Sequence, residues 1–216
     1  MRIRKYFIYM FFILLCLMLS NCQFFKCLFY DLVITEPQNG LETKANEITV
    51  SGCGSNSEIN ELELFVNNMF VDLKNIVRIS EDEYFSFDFF SVTIPNGNVE
   101  IEVIGYSNWP VDEIASDSVS IFCDRSPPNI VITSPENNAI IYSHSVTFVG
   151  SISDNDQVQS FQYLGEYGHS GDIHVENGNW SVTVENLPYI YQYVTFIAKD
   201  RMANIKSETI YFTCSE

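Results

Sequence analysis

The chain has 216 residues, 14% of them aromatic, with 28 Asp and Glu against 11 Lys and Arg. Its length suits one large or two small domains, and so many aromatics argue against disorder across the whole chain. A formal charge of −17 repels phosphate backbones and anionic headgroups, so nucleic acid is set aside as a partner, while a basic partner, a divalent cation or plain solubility suits it.

Residues 1–21 contain Arg2, Arg4 and Lys5 and no acid, and an uncharged apolar stretch covers 6–19. This is the build of a secretory leader. The tetrapeptide LSNC at 19–22 resembles a bacterial lipobox, with a branched apolar residue, a small residue and then a cysteine. In that family a peptidase cuts before the cysteine, whose sulfur carries a diacylglycerol. The resemblance therefore implies a signal peptide over 1–21 and lipidation of Cys22. Asn21 departs from the usual Gly or Ala, and Cys16 and Cys27 fit worse, behind Leu15 and Lys26. Two other readings stay open. One is a membrane helix that is never cut, because 6–30 carries a single charge, Lys26, and about 20 apolar residues span a bilayer. The other is ordinary secretion. Ser20, Asn21, Gln23 and Lys26 interrupt the apolar run and favour cleavage. In the two anchored cases the basic end stays in the cytoplasm. The remainder is then expected in the cell envelope, with the outer membrane or cell surface favoured over the inner membrane. Cleavage before Cys22 removes three of the 11 bases and no acid, leaving 8 against 28, a net of −20.

Beyond a tether at 22–30, the residue types are those of strands and turns, without sustained helical periodicity. Predicted strands fall near 31–36, 47–53, 61–66, 69–73, 84–94, 98–105 and 116–123. A second set falls near 129–133, 144–150, 157–163, 172–176, 180–184, 191–199 and 205–214. ELELFV at 61–66 and VEIEVI at 99–104 alternate apolar with charged residues, as strands with one wet face do. QNG, PNG and ENG triplets punctuate the pattern as turns.

The two sets are copies. LVITEPQNG matches IVITSPENN, placing Pro37 against Pro135, and ITVSG matches VTFVG, placing Gly52 against Gly150. FSVTI at 90–94 is aligned with WSVTV at 180–184, and both copies close on a cysteine, Cys123 and Cys214. Seven spaced strands in about ninety residues point to a sandwich of immunoglobulin-like build. The expected fold is all-β, with two tandem sandwiches at 31–124 and 125–216 behind the N-terminal signal or anchor.

PPNIVITSP at 127–135, VGSISDND at 149–156, WSV at 180–182, and Ala198-Lys199-Asp200 with Ala203-Asn204 resemble bacterial Ig-like repeats of secreted and surface proteins. In that family a Pro-rich linker opens the repeat and a D-x-x-x-N turn closes it. The resemblance covers about 124–216 well and the first copy less, since GSNS at 54–57 lacks the Asp-Asn-Asp. It implies stalk, adhesion or spacer modules and is nearly silent on ligand.

Asp154, Asp156 and Asp200 fall at one end of such a sandwich, and Asp124 in the linker enters there. Converging carboxylates between the two domains suit Ca²⁺, which takes six to eight oxygens; the alternative is that they cap turns. His169, Asp172 and His174 have short spacing, but no further histidine cluster supports zinc, and a polar hairpin is expected. GHSGD at 168–172 lacks the final Gly and the strand–helix setting of a nucleophile elbow. No phosphate loop, CxxC pair, HExxH or paired-carboxylate cleft is present, so no enzyme is expected. Trp109 sits in a predicted hairpin loop and is a candidate partner contact, against the reading that it folds back on its own sandwich.

Cys27, Cys53, Cys123 and Cys214 allow three complete pairings. Cys53 ends the second strand and Cys123 the last, at opposite poles roughly 20 Å apart. A disulfide needs Cα atoms within about 7 Å. Cys27 precedes the first strand at the pole of Cys53, so Cys27–Cys53 is the expected bridge.

These readings converge on a membrane-anchored extracytoplasmic lipoprotein whose modules form a binding, adhesion or spacer surface for a protein or glycan partner. The alternative is an envelope accessory or assembly component held by an uncleaved signal anchor.

Overall fold

The computed structural model describes Cys27 and residues 30–76, 84–108 and 112–216. The predicted leader, Cys22 and Trp109 lie outside the described residues. The chain divides between Cys123 and Asp124 into two compact units.

The first unit contains β1 (Val33–Glu36), β2 (Glu42–Thr43), β3 (Glu47–Gly54), β4 (Glu61–Val66), β5 (Met69–Asn75), β6 (Phe85–Thr93), β7 (Gly97–Tyr106) and β8 (Glu113–Cys123). Period-two alternation decides which face of each strand goes inward. In β4, Leu62, Leu64 and Val66 are buried while Glu61, Glu63 and Phe65 face outward. In β7, Val99, Ile101 and Val103 do the same between Glu100, Glu102 and Ile104. The strands form a three-stranded sheet, β1-β3-β6, and a five-stranded sheet, β2-β8-β7-β4-β5. Their inner faces share one core around Val50, Leu64, Phe87, Phe89, Ile101 and Ile121.

The second unit contains β9 (Asn129–Ser134), β10 (Ala139–Ile141), β11 (Val146–Ser153), β12 (Val158–Gly165), β13 (Ser170–Asp172), β14 (Val175–Glu176), β15 (Asn179–Val184), β16 (Tyr191–Asp200) and β17 (Ile205–Cys214). A 3-10 turn at Glu166–Gly168 separates β12 from β13. The sheets are β14-β15-β11-β9 and β10-β17-β16-β12-β13. Phe148 meets Phe196 and Phe212 edge-on at 5.3 and 5.5 Å between centroids, and Trp180 lies 4.9 Å from Phe196. These rings centre a second core, separate from the first.

Three features depart from the predicted elements. First, β2 and β10 were not expected: each has two or three residues and pairs parallel with the last strand of its unit. So short a strand has no periodicity of its own, and its partner alone defines it. Second, the single strand expected at 172–176 is two strands in different sheets. β13 pairs with β12, β14 pairs with β15, and the chain crosses between them at the buried Ile173.

Third, FSVTI and WSVTV are not equivalent positions. Trp180 pairs across the sheet with Gly150, and the residue paired with Gly52 is Phe87, not Phe90. β6 carries a bulge where Phe90 and Ser91 stand opposite Thr49 alone, between the pairs Ile48–Val92 and Val50–Phe89. Ser91 has φ 54° there, and Phe90 is turned out, 71% exposed. The identical Ser-Val-Thr letters are out of structural register: Phe87, three residues before Phe90, takes the Trp180 position, and beyond the bulge Val92 takes the Val184 position.

Candidate functional site

β16 places a row of side chains inward, from Gln192 through Val194, Phe196 and Ala198 to Asp200. Between Gln192 and Asp200 the row is apolar. Asp200 is fully buried at the pole where β11 runs into β12. The two turns that meet there bring in Asp154, after β11, and Asp124, ahead of β9. The carboxylates of Asp124, Asp154 and Asp200 each offer an oxygen within 4.8 Å of the others. Asp124, like Asp200, has no exposed surface, and Asp154 is half-buried.

Each carboxylate has local hydrogen bonds. Asp200 Oδ1 accepts from the Asn204 backbone N–H at 2.7 Å, and its Oδ2 accepts from Asn204 Nδ2 at 2.7 Å. Asn204 Nδ2 also reaches the Asp124 carbonyl at 3.2 Å, tying the closing turn to the entering strand. Asp124 Oδ1 accepts from the Ser126 N–H and from Asn155 Nδ2, at 3.0 and 3.1 Å. Asp154 Oδ1 accepts from the Asp156 N–H at 2.9 Å. Asp124 Oδ2 and Asp154 Oδ2 are buried without a hydrogen-bond partner. Burial pushes the Asp154 carboxyl above the usual range, and the neighbouring Asp124, Asp200 and Asp156 charges add to that; the Asp156 N–H works against it.

All three residues of this cluster belong to the second unit. The expectation of a cluster shared between domains therefore gives way to one inside a single sandwich. Asp156, expected among the ligands, is not in the cluster. Its Oδ2 is bound to Arg201 Nε at 2.8 Å, because the turn after β16 carries that guanidinium over it. Among the described residues no histidine joins a metal-sized group. His169 shares a shallow depression with His144, Tyr167 and Leu187, whereas His174 lies in another, beside Trp180 and Glu176. The His144 ring lies tilted against Tyr189, centroids 3.9 Å apart, and its Nδ1 lies 2.9 Å from the Leu187 carbonyl oxygen.

Cys27 and Cys53 are joined by a disulfide with Cα atoms 5.3 Å apart. Cys123 and Cys214 are buried thiols at the ends of β8 and β17. Burial raises the Cys214 thiol, partly offset by the Gln192 amide, which donates to its sulfur at 3.4 Å.

One surface escaped the sequence reading. The outer face of the five-stranded sheet in the second unit carries Ile140, Leu164, Tyr191, Tyr193 and Tyr211, all exposed. Tyr193 and Tyr211 are directly opposed, and the Tyr191 and Tyr211 rings stack 5.9 Å apart at 9°. At the rung matching Tyr193 and Tyr211 the first unit pairs Glu100 with Ser120, and at the rung of Tyr191 it pairs Asn98 with Phe122. The alternation of β16 and β17 makes these tyrosines outward in the sequence, but only the sheet order joins them into a patch.

No known family model matches the chain, and no curated protein matches it. Solved structures do. A three-immunoglobulin-domain fragment of titin bearing Glu-to-Ala changes is 12% identical, with a TM-score of 0.55 over 86% of this chain and 65% of that one. An I-band fragment of titin is likewise 12% identical, with a TM-score of 0.50 over the same shares. The fibronectin(III)-like modules of Clostridium thermocellum CbhA align over 85% of this chain and 94% of theirs, at 14% identity and a TM-score of 0.39.

The fold is immunoglobulin-like. It is all-β, with two such sandwiches in tandem, and the short first-strand segments β2 and β10 run parallel to the last strands β8 and β17. At this level of identity the likeness concerns fold alone. Among the described residues no helix is long and apolar enough to cross a membrane.

Proposed function

We propose that this protein is an extracytoplasmic envelope lipoprotein, anchored by lipid on Cys22, whose second sandwich binds a protein or glycan through its tyrosine face. The observation that carries the reading is the contrast between the two sandwiches. Where the first unit sets Glu100 opposite Ser120, the second sets Tyr193 opposite Tyr211, with Tyr191, Ile140 and Leu164 exposed on the same face. A pure spacer gains nothing from a contiguous exposed apolar patch, which otherwise marks contact with a partner. Tyrosine suits that task, since it adds large contact area at low side-chain entropy and keeps a polar tip. The leader pattern and LSNC at 19–22 support the anchor.

The test has two parts. The N-terminal peptide of the membrane-fraction protein is expected to begin at acylated Cys22. Binding to envelope glycans or to a cross-linked envelope protein is expected to fall at least tenfold in the triple variant Tyr191→Ser, Tyr193→Ser, Tyr211→Ser, with the melting temperature little changed. Binding unaffected by the triple change would remove the tyrosine face from the reading. The apolar segment QFFKCLFY at 23–30 favours the alternative of an uncleaved anchor on an envelope accessory component. A mature chain that still carries Met1 would decide for that alternative.

A further inference from the structure

The two sandwiches offer an internal comparison for the aspartate cluster. By strand register, Asp154 corresponds to Asn56 and Asp200 to Ser107. The first unit makes the same turn with neutral groups: the Glu58 N–H donates to Asn56 Oδ1 at 2.9 Å, as the Asp156 N–H does to Asp154 Oδ1 at 2.9 Å. Likewise the Asp112 N–H donates to Ser107 Oγ at 3.2 Å, where the Asn204 N–H donates to Asp200 Oδ1 at 2.7 Å. One oxygen per residue is therefore enough to build this pole of the fold. Turn capping accounts for Asp154 Oδ1 and leaves Oδ2 unexplained.

Asp124 sharpens the point. It is wholly buried, its Oδ1 takes both available donors, and its Oδ2 has none. A buried carboxylate oxygen without a donor is costly, and two beside a third carboxylate are costlier still. In the turn after β16, Arg201 is bound to Asp156.

We propose that Asp124, Asp154 and Asp200 form a calcium site at this pole of the second sandwich. The donor set is all oxygen, which selects a hard cation and disfavours zinc, with its nitrogen and sulfur ligands. Calcium fits better than magnesium, which keeps several waters and is seldom held in a protein cage. The half-exposed Asp154 side leaves room for water to complete the shell. The ion ties the strand entry at Asp124 to the turn after β11 and the end of β16, three segments distant in sequence. The site concerns the second unit alone and does not depend on the anchor or on the tyrosine face.

The experiment uses the full chain in detergent, stripped with EDTA and titrated with calcium or magnesium alone. Calorimetric melting is read together with bound metal by equilibrium dialysis. With free calcium about 100-fold above Kd, the melting temperature of the second unit is expected to rise by about 10 °C. Magnesium at the same concentration is expected to give less than half of that. Asp154→Asn keeps the turn bond that Asn56 makes in the first unit, so it should fold and lose the shift together with one bound calcium. Asp156→Asn should keep both. No calcium-dependent shift in the unaltered chain, or an equal shift in Asp154→Asn, overturns the site. If Asp154→Asn does not fold, the unaltered chain still decides, since it must retain calcium in dialysis against excess magnesium.

Discussion

At Gly150 the structure shows why a side chain is absent. A Cβ there would collide with the Val131 carbonyl oxygen and with the indole of Trp180, its cross-strand partner. Gly52 stands in the same relation to Val33 and Phe87 in the first unit. An aromatic ring laid over a glycine lets the sheet bend close to its neighbour while the ring fills the core. The 98-residue spacing of the two glycines is visible in the letters, and Trp180 reads as a core anchor from its type alone. The identity of its counterpart is not, because Phe87, Phe89 and Phe90 are one residue type and only the cross-strand register picks out Phe87. Gly150→Ala should destabilise the second unit by about 2–3 kcal/mol through overpacking, measured by urea unfolding followed on Trp180 fluorescence.

Among the elements, the disulfide and the short parallel strands show two different limits of sequence reading. Pole and distance pair Cys27 with Cys53 from the sequence, a matter of strand length and direction that alternation reveals. The structure places them 5.3 Å apart at Cα, across a separation of 26 residues. Closing a loop of that size removes unfolded-state entropy worth about 3.5 kcal/mol. Cys53→Ser should lower the first unit's stability by about that much in oxidised protein, and should change nothing after reduction of both proteins; denaturant melts with and without reductant read it directly. By contrast β2, β10 and the split of β13 from β14 depend on which partner strand is within reach. Glu42 and Thr43 lie beside Phe122 and Cys123 only once the chain has returned through β8.

For the whole molecule, two cores imply two cooperative units. Phe148 and Leu64 are each fully buried, in the second and first core respectively. Phe148→Ala should cost about 3–5 kcal/mol and Leu64→Ala about 2–5 kcal/mol, each lowering one calorimetric transition and leaving the other in place. A single transition moved by both changes would show instead that the units unfold together. The duplication also makes each unit a control for the other. Asn56 and Ser107 in the first sandwich, and its Glu100–Ser120 rung, are what give the aspartate cluster and the tyrosine face of the second their meaning.

The sequence by itself determined the β class, the two-fold duplication and most strand positions, because these follow from local alternation, turn residues and repeated letters. It also marked Asp124, Asp154 and Asp200 as residues that an Ig-like topology carries to one pole. Only the tertiary structure decided that Asp156 turns away to Arg201, that the cluster lies inside one sandwich, and that Tyr191, Tyr193 and Tyr211 share a surface. Those outcomes rest on strand order, the meeting of distant turns and a competing ion pair. Each is a contact between segments far apart in the chain, and no local pattern of residues encodes which of several possible partners is met.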